Sequence, residues 1–255
     1  MKENPNDYNN FHQNYKSISE NVSAVYAKQY SVFKYIEHLQ NASVLDLACG
    51  NGNISRLCMQ KEAKKTVGYD ISEKMIQEAK ETEKEHSLGC EFHVKNAADI
   101  GYLEDFDLVL AVYLLYYARN KEELLAFCKV IYNNLKKGGQ FVAYTINPFS
   151  TKSEPKNTRK YGYRLFFEEP CLEGSTYRLD LYDNMNANDF SEAPISLRCI
   201  YFSPETYEWA FKEAGFSKIH WHPVEVDPVG IEKCPDGYWD YFLERQPSHI
   251  IVGYK

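Results

Sequence analysis

Eight residues, Asp46-Leu47-Ala48-Cys49-Gly50-Asn51-Gly52-Asn53, restrict the fold of this 255-residue chain more than any others. The apolar run Val44, Leu45, Leu47 reads as a buried strand, and at Ile54-Ser55-Arg56-Leu57 the apolar spacing changes to a helical period. A strand, a glycine-rich turn and a helix in direct succession predict an α/β fold. Glycine has no Cβ, so the backbone of such a turn can lie directly against a ligand. The acid that opens the turn bears on which ligand. A carboxylate there repels phosphate but accepts a hydrogen bond from an ammonium group, which favours an amino-acid-bearing nucleoside over a pyrophosphate.

Two kinds of nucleotide loop have to be told apart. The dinucleotide fingerprint needs a small residue at its end and an acid about 20 residues further on. Gly50-Asn51-Gly52-Asn53-Ile54-Ser55 ends in serine, so the loop by itself leaves that reading open. The spacing Asp46-x-Ala48-x-Gly50-x-Gly52 resembles the D-x-G-x-G-x-G motif of class I S-adenosylmethionine-dependent methyltransferases, with Ala48 in place of the first glycine. The resemblance implies that Asp46, Ala48, Gly50, Asn51 and Gly52 form the cofactor loop.

Three later segments extend the resemblance. Thr66-Val67-Gly68-Tyr69-Asp70 reads as a strand ending in an acid, followed by Ile71 and the helix-start signal Ser72-Glu73-Lys74. A carboxylate at that tip can take both ribose hydroxyls, and Ile71 can pack on the adenine. A turn or capping aspartate is the plainer reading, and NAD enzymes place an acid at the same point. After the strand Cys90 to Val94, the segment Asn96-Ala97-Ala98-Asp99-Ile100 matches the family's adenine-reading loop. There Asp99 accepts from the exocyclic amine and the Ala98 amide donates to a ring nitrogen, with Ile100 alongside. Phe106 to Val112 is a continuous apolar run suited to the middle of a parallel sheet, and its Ala111 falls on the cofactor side by the same resemblance. Lys121 to Asn134 carries a helical apolar stripe, Lys136-Lys137-Gly138-Gly139 reads as its cationic, glycine-capped end, and Gln140 to Thr145 is the next strand. The resemblance covers residues 44–145.

Outside that half, four stretches organise the chain: a helical lid over residues 1–40, the cofactor core over 41–146, an aromatic-rich substrate-cap insertion over 147–202, and the rest of the core over 203–255. Val22, Val25, Tyr26, Tyr30, Phe33 and Ile36 give the lid its helical spacing. Tyr8-Asn9-Asn10-Phe11-His12-Gln13-Asn14-Tyr15 resembles the family's "Y…Y" lid, which implies a contact from Tyr15 to the methionine end of the cofactor; plain packing of the lid explains the same aromatics. In the insertion, Tyr177 to Tyr182 and Ile195 to Phe202 read as antiparallel partners, and its aromatic density suits a roof over a planar or apolar substrate or, equally, an ordinary core beneath a small added sheet. Ser203-Pro204 starts a helix that stops at Gly215. Lys218 to His222 and Ser248 to Val252 complete a Rossmann-like seven-stranded, mostly parallel sheet with helices on both faces and an antiparallel last strand.

Composition narrows the function. Asp and Glu number 36 against 29 Lys and Arg, a net charge of −7, whereas nucleic-acid binders cluster cations. No apolar stretch approaches the roughly 18 residues that span a membrane. A polar Met1-Lys2-Glu3 start and seven cysteines without a C-x-x-C pair lead us to expect a cytoplasmic protein without a disulfide framework or metal site.

Methyl transfer from a sulfonium is an in-line displacement that needs alignment above all, so catalytic groups need not stand out. Tyr113, just past the fourth strand, is the first candidate, with Tyr116 and Tyr117 beside it; His12 on the lid and His222 near the carboxyl end are candidate bases, with His220 as a strand neighbour. Packing explains each histidine equally well. The expectation is an S-adenosylmethionine-dependent O- or N-methyltransferase, monomeric or homodimeric, acting on a small molecule that is aromatic or carboxylate-bearing. The alternatives are an NAD-dependent oxidoreductase and a non-catalytic S-adenosylmethionine-binding module.

Overall fold

The computed structural model describes residues 8, 9, 18, 21–182 and 193–255. The first half alternates strands and helices. A π-helical turn, Ala24–Gln29, runs into α1 (Tyr30–Lys34), then β1 (Ser43–Leu47), α2 (Asn53–Gln60), β2 (Lys65–Asp70), α3 (Glu73–Glu85), β3 (Cys90–Val94), β4 (Phe106–Val112), α4 (Lys121–Asn133) and β5 (Leu135–Ile146). The insertion folds as β6 (Tyr163–Phe167), β7 (Thr176–Leu181) and β8 (Ile195–Ile200). The chain then returns to the core through α5 (Pro204–Ala214), β9 (Ile219–Pro223), two short helices α6 (Pro228–Lys233) and α7 (Asp240–Arg245), and β10 (Ser248–Tyr254).

The main sheet has seven strands in the order β3-β2-β1-β4-β5-β10-β9. β1 to β5 run parallel, while β10 is antiparallel to both β5 and β9. β1, β4 and β5 are buried almost throughout because helices cover both faces, which is why they read as unbroken apolar runs. Alternation splits the side chains between two cores. Leu45, Leu47, Val109, Ala111, Phe141 and Ala143 face α4 and α5. Val44, Leu108, Leu110, Val142 and Tyr144 face α2, the lid helix and the Trp239/Phe242 region. From β1 the chain goes outward to β2 and β3 and then jumps back to β4, so the carboxyl ends of β1 and β4 flank the crevice where open α/β sheets bind ligands.

Two expectations are corrected here. Lys136-Lys137-Gly138-Gly139 is not the end of a helix. α4 stops at Asn133, and Asn134 closes it with its side chain: Nδ2 donates to Val130 O at 2.8 Å and Gly101 O at 2.7 Å, and Oδ1 accepts from Leu103 N at 2.8 Å. The glycines instead serve an irregular start to β5, where the register against β4 shifts between Phe106 and Leu108. A Cβ on Gly139 would sit 3.1 Å from the Phe106 carbonyl oxygen. Secondly, the insertion is a three-stranded antiparallel sheet, β6-β7-β8, rather than a pair. Its additional strand hides its period because Phe166, on the outward face, is sandwiched by the guanidinium groups of Arg164 and Arg178 at 4.2 and 3.9 Å.

Candidate active site

The turn after β1 is shaped by its backbone. Ala48 (φ 62°), Gly50 (φ 55°) and Gly52 (φ 80°) all occupy the left-handed region, so Ala48 carries a strain that the expected glycine would not. Gly52 is also required by space: a Cβ there would lie 2.5 Å from the Phe92 ring, and one on Gly68 would lie 2.7 Å from Cys49 Sγ. Phe92 of β3 thus forms the floor of the loop, a role that no motif announced.

Asp46 lies beneath this loop rather than on its surface. It is 1% exposed and accepts a 2.6 Å hydrogen bond from Ser55 Oγ, tying β1 to the first turn of α2. Burial pushes its carboxyl up to about 7, against the hydrogen bond from Ser55. The expected hydrogen bond from Asp46 to a ligand's ammonium group is therefore corrected: the carboxylate is enclosed and supports the loop from below.

Asp70, at the tip of β2, holds the other side. Its Oδ2 accepts from Gly50 N at 2.9 Å and its Oδ1 from Ser72 N at 2.8 Å. Burial raises its carboxyl, while those amides oppose the shift. Each carboxylate oxygen keeps a second lone pair for a ligand hydroxyl. Ile71 follows it and is 59% exposed, an apolar surface at the cleft that the core does not use. Asn51 is half-buried and reaches toward Glu78. Asp99 is exposed at the end of the short 3₁₀ turn Ala97–Asp99.

Three neighbouring expectations fall differently. The Ala98 amide donates to Asn96 Oδ1 at 3.0 Å, so it is not available to a ring nitrogen. Ile100 is 4% exposed and Ala111 is fully buried; both belong to the core on the α4 side and offer no surface to a ligand.

Tyr113 begins the segment after β4. It has φ 64°, a conformation uncommon for an aromatic residue, and is held there by its amide donating to Tyr144 O at 2.8 Å. Its ring meets those of Tyr144 and Tyr116 edge-on, at 5.0 and 5.9 Å. These three tyrosines form one wall of a cavity beneath the insertion. The amino-terminal segment contributes Ile18 and Lys28, and the insertion contributes Tyr163 and Leu179. Burial pushes the Tyr144 hydroxyl up to about 12, with side-chain hydrogen bonds to Ser248 and Tyr113 acting the other way.

Residues 8 and 9 span both banks of the cleft. The Tyr8 hydroxyl bonds to that of Tyr117, beyond β4, and the Tyr117 hydroxyl accepts from Tyr116 at 3.2 Å. Asn9 Oδ1 accepts from Ser72 Oγ at 2.9 Å and Lys74 N at 3.1 Å, at the start of α3. His12 and Tyr15 lie outside the described residues. His222 is not brought to the cavity: it pairs with Ile250 on the edge strand β9, three strands from β4, and stacks on Tyr35 at 4.4 Å. Burial lowers its pKa, His220 adds to the effect and Glu225 opposes it. The catalytic expectation for His222 is corrected on that placement. Lys28 is the cavity residue that sequence pattern missed; it is 6% exposed, and no periodicity marks a buried lysine in a polar lid segment.

A family model described as a methyltransferase domain matches residues 38–213, which run from just ahead of β1 into α5. The chain belongs to the methyltransferase domain family. A demethylmenaquinone methyltransferase of Chlorobaculum parvum is 27% identical over 202 residues, covering 76% of this chain and 73% of its own. An uncharacterized protein of Haemophilus influenzae is 24% identical over 153 residues, covering 57% of this chain, which spans 59% of that relative's length. Among solved structures, an S-adenosylmethionine-dependent methyltransferase from Mesorhizobium loti superposes with a TM-score of 0.64 at 16% identity, covering 93% of this chain and 100% of its own. Another from Clostridium acetobutylicum gives 0.62 at 17% identity, with coverages of 98% and 99%. The fold of this methyltransferase domain is theirs.

S-Adenosylmethionine is the cofactor of this fold and family, and the site has the groups to hold it. Gly50 and Gly52 leave the loop surface clear, Asp70 retains acceptor capacity, Ile71 is an uncovered apolar face, and Asp99 is free to reach an amine. Among the described residues no helix is long and apolar enough to cross a membrane, and no group of three His, Cys, Asp or Glu side chains is placed to hold a metal.

Proposed function

We propose that this methyltransferase-domain protein transfers a methyl group from S-adenosylmethionine to an oxygen or nitrogen atom of a small molecule held in the tyrosine-walled cavity. The observation that carries the reading is the position of Tyr113. It stands at the tip of β4, in the crevice where β1 and β4 diverge, and it also walls the cavity under the insertion. Tyr113 thus follows the strand next to β1, whose end carries the glycine turn, and lines the cavity as well.

When bound, the cofactor supplies an activated methyl group. The chain's own residues bind and align. Asp70 takes the ribose hydroxyls, Ile71 covers one adenine face and Asp99 accepts from the exocyclic amine. Tyr113, fixed by its backbone and by Tyr144, sets the approach of the acceptor. Alignment of this kind is worth roughly 7–11 kcal/mol, enough to carry much of such a displacement. The insertion acts as the cap that excludes water, and the net charge of −7 favours a small acceptor over a nucleic acid. The family match and the antiparallel β10 weigh against an NAD-dependent oxidoreductase.

Calorimetry with S-adenosylmethionine and S-adenosylhomocysteine tests the reading. Both should bind the wild type, and Asp70→Ala should weaken both at least tenfold. Absence of binding to either ligand overturns the proposal, while an unchanged affinity of Asp70→Ala removes that residue from the ribose site. Transfer of label from the methyl group to aromatic alcohols and amines then tests the acceptor class.

A further inference from the structure

The cavity under the insertion contains a buried positive charge with no opposite charge beside it. Lys28 lies in the π-helical turn of the lid, 6% exposed, with its side chain among the cavity walls. Its Nζ stands 5.5 Å from the centroid of the Tyr113 ring. Among the described residues it forms no ion pair or hydrogen bond with a carboxylate. The buried acids of the insertion are engaged elsewhere: Glu154 with Arg245 and Tyr241, and Asp180 with Ser196 and Arg178. The remaining walls near Lys28 carry no charge: they are aliphatic or phenolic apart from Asn21, Ser23 and Ser248, and Asn21 and Ser23 bond to each other and to backbone groups.

Burial without a compensating acid lowers the Lys28 pKa to about 8, so its amine is still mostly protonated at neutral pH. An ammonium removed from water is unfavourable unless something pairs with it. A second polar group lines the same cavity: the Tyr163 hydroxyl is buried and has no hydrogen-bond partner among the described residues. One cation and one hydroxyl donor match the two oxygens of a monoanion. A phosphate dianion would bring more charge and more acceptors than these groups satisfy. Tyrosine rings on the remaining sides favour a flat ligand body.

We infer that Lys28 is a specificity-determining residue that holds the carboxylate of a planar, carboxylate-bearing acceptor, with Tyr163 as the second donor. The acceptor's identity as a methyl acceptor rests on the methyl-transfer reading above; the Lys28–carboxylate contact does not. Tyr113, lying against Lys28 on one side and the crevice on the other, then fixes the distance between the anchored carboxylate and the reacting end.

The test compares benzoate and 4-hydroxybenzoate with their uncharged amides, using wild type, Lys28→Met and Lys28→Arg saturated with S-adenosylhomocysteine. Calorimetry should show each carboxylate binding the wild type at least tenfold more tightly than its amide. Lys28→Met should abolish that preference and Lys28→Arg should keep part of it. Both variants should bind S-adenosylhomocysteine within twofold of the wild type, which reports folding and keeps the two proposals separable. Nitrogen-15 NMR of the lysine amine should show the Lys28 pKa rising when benzoate binds. Carboxylate affinity should fall as pH rises through about 8, because the neighbouring Tyr116, Tyr144 and Tyr163 hydroxyls are pushed upward by burial and do not titrate there. Equal affinity for acid and amide, an undiminished preference in Lys28→Met, or no binding of either carboxylate at millimolar concentration overturns the inference. Tight S-adenosylhomocysteine binding alongside any of those results leaves the methyltransferase reading in place.

Discussion

At the scale of single residues, the glycine turn after β1 shows how a buried acid can support a loop from beneath. Asp46 is held by Ser55 under the glycines, and its carboxyl is raised from an ordinary 3.8 to about 7 by burial. In the unfolded chain the group is ionised above about pH 4, whereas in the folded chain it keeps its proton until about pH 7. The folded state therefore binds the extra proton between these values, and stability falls as pH rises through that window and is level above it. The difference in pKa sets a ceiling of about 4 kcal/mol on the effect. Asp46→Asn removes the titrating group, so its stability relative to wild type should climb from pH 4 to pH 7 in urea titrations, then stay constant. Parallel pH profiles for the two proteins would show that Asp46 ionises normally. Sequence made Asp46 visible as a motif member but said nothing of its direction, since the same spacing suits an acid above or below a loop. Phe92 and Lys28 were invisible for a related reason: what matters about each is the neighbour it meets, and neither neighbour is near it in sequence.

Secondary-structure elements were more legible than their ends. The central strands were readable because burial on both faces leaves no polar positions, and α5 because Ser203 and Pro204 mark its start, with Ser203 Oγ accepting from Thr206 N at 3.3 Å. The end of α4 misled because two lysines followed by two glycines satisfy the rules for a helix cap, while Asn134 performs that task through bonds to residues 101 and 103. The insertion is joined to the core by a contact with no sequence signature at all. Glu154, 3% exposed, accepts from Arg245 Nε at 3.1 Å and Tyr241 Oη at 2.7 Å, both from α7. Arg245 also donates to Lys152 O at 2.6 Å. Removing one member leaves a poorly solvated charge, so Glu154→Gln should destabilise the protein by about 3 kcal/mol. The double variant Glu154→Gln/Arg245→Met should recover part of that loss in chemical unfolding. Additive losses in the double variant would mean that the pair makes no mutual contribution.

Over the whole molecule, sheet order and cleft position follow from a few strand tips, whereas the closure of the cleft depends on a segment remote in sequence. Asp70, Ser72 and Tyr117 come from the sheet and its crossover segments, and residues 8 and 9 reach across to all three neighbourhoods through Asn9–Ser72 and Tyr8–Tyr117. Lys28 lies further along the same amino-terminal part of the chain, in the turn Ala24–Gln29. Described residues of the amino-terminal segment thus touch the start of α3, Tyr117 and the cavity wall that Lys28 lines. Asn9→Ala tests that bridge, because Asn9 meets Ser72 and Lys74 at the start of α3. Two neutral hydrogen bonds at a half-exposed position contribute about 1–2 kcal/mol together. Asn9→Ala should therefore weaken S-adenosylhomocysteine binding by roughly five- to thirtyfold in calorimetry. Its melting temperature without ligand should change by less than a degree or two, since the main sheet and its helices are intact. A fall in melting temperature at unchanged affinity would reverse the assignment, making residue 9 part of the scaffold and leaving closure to other contacts.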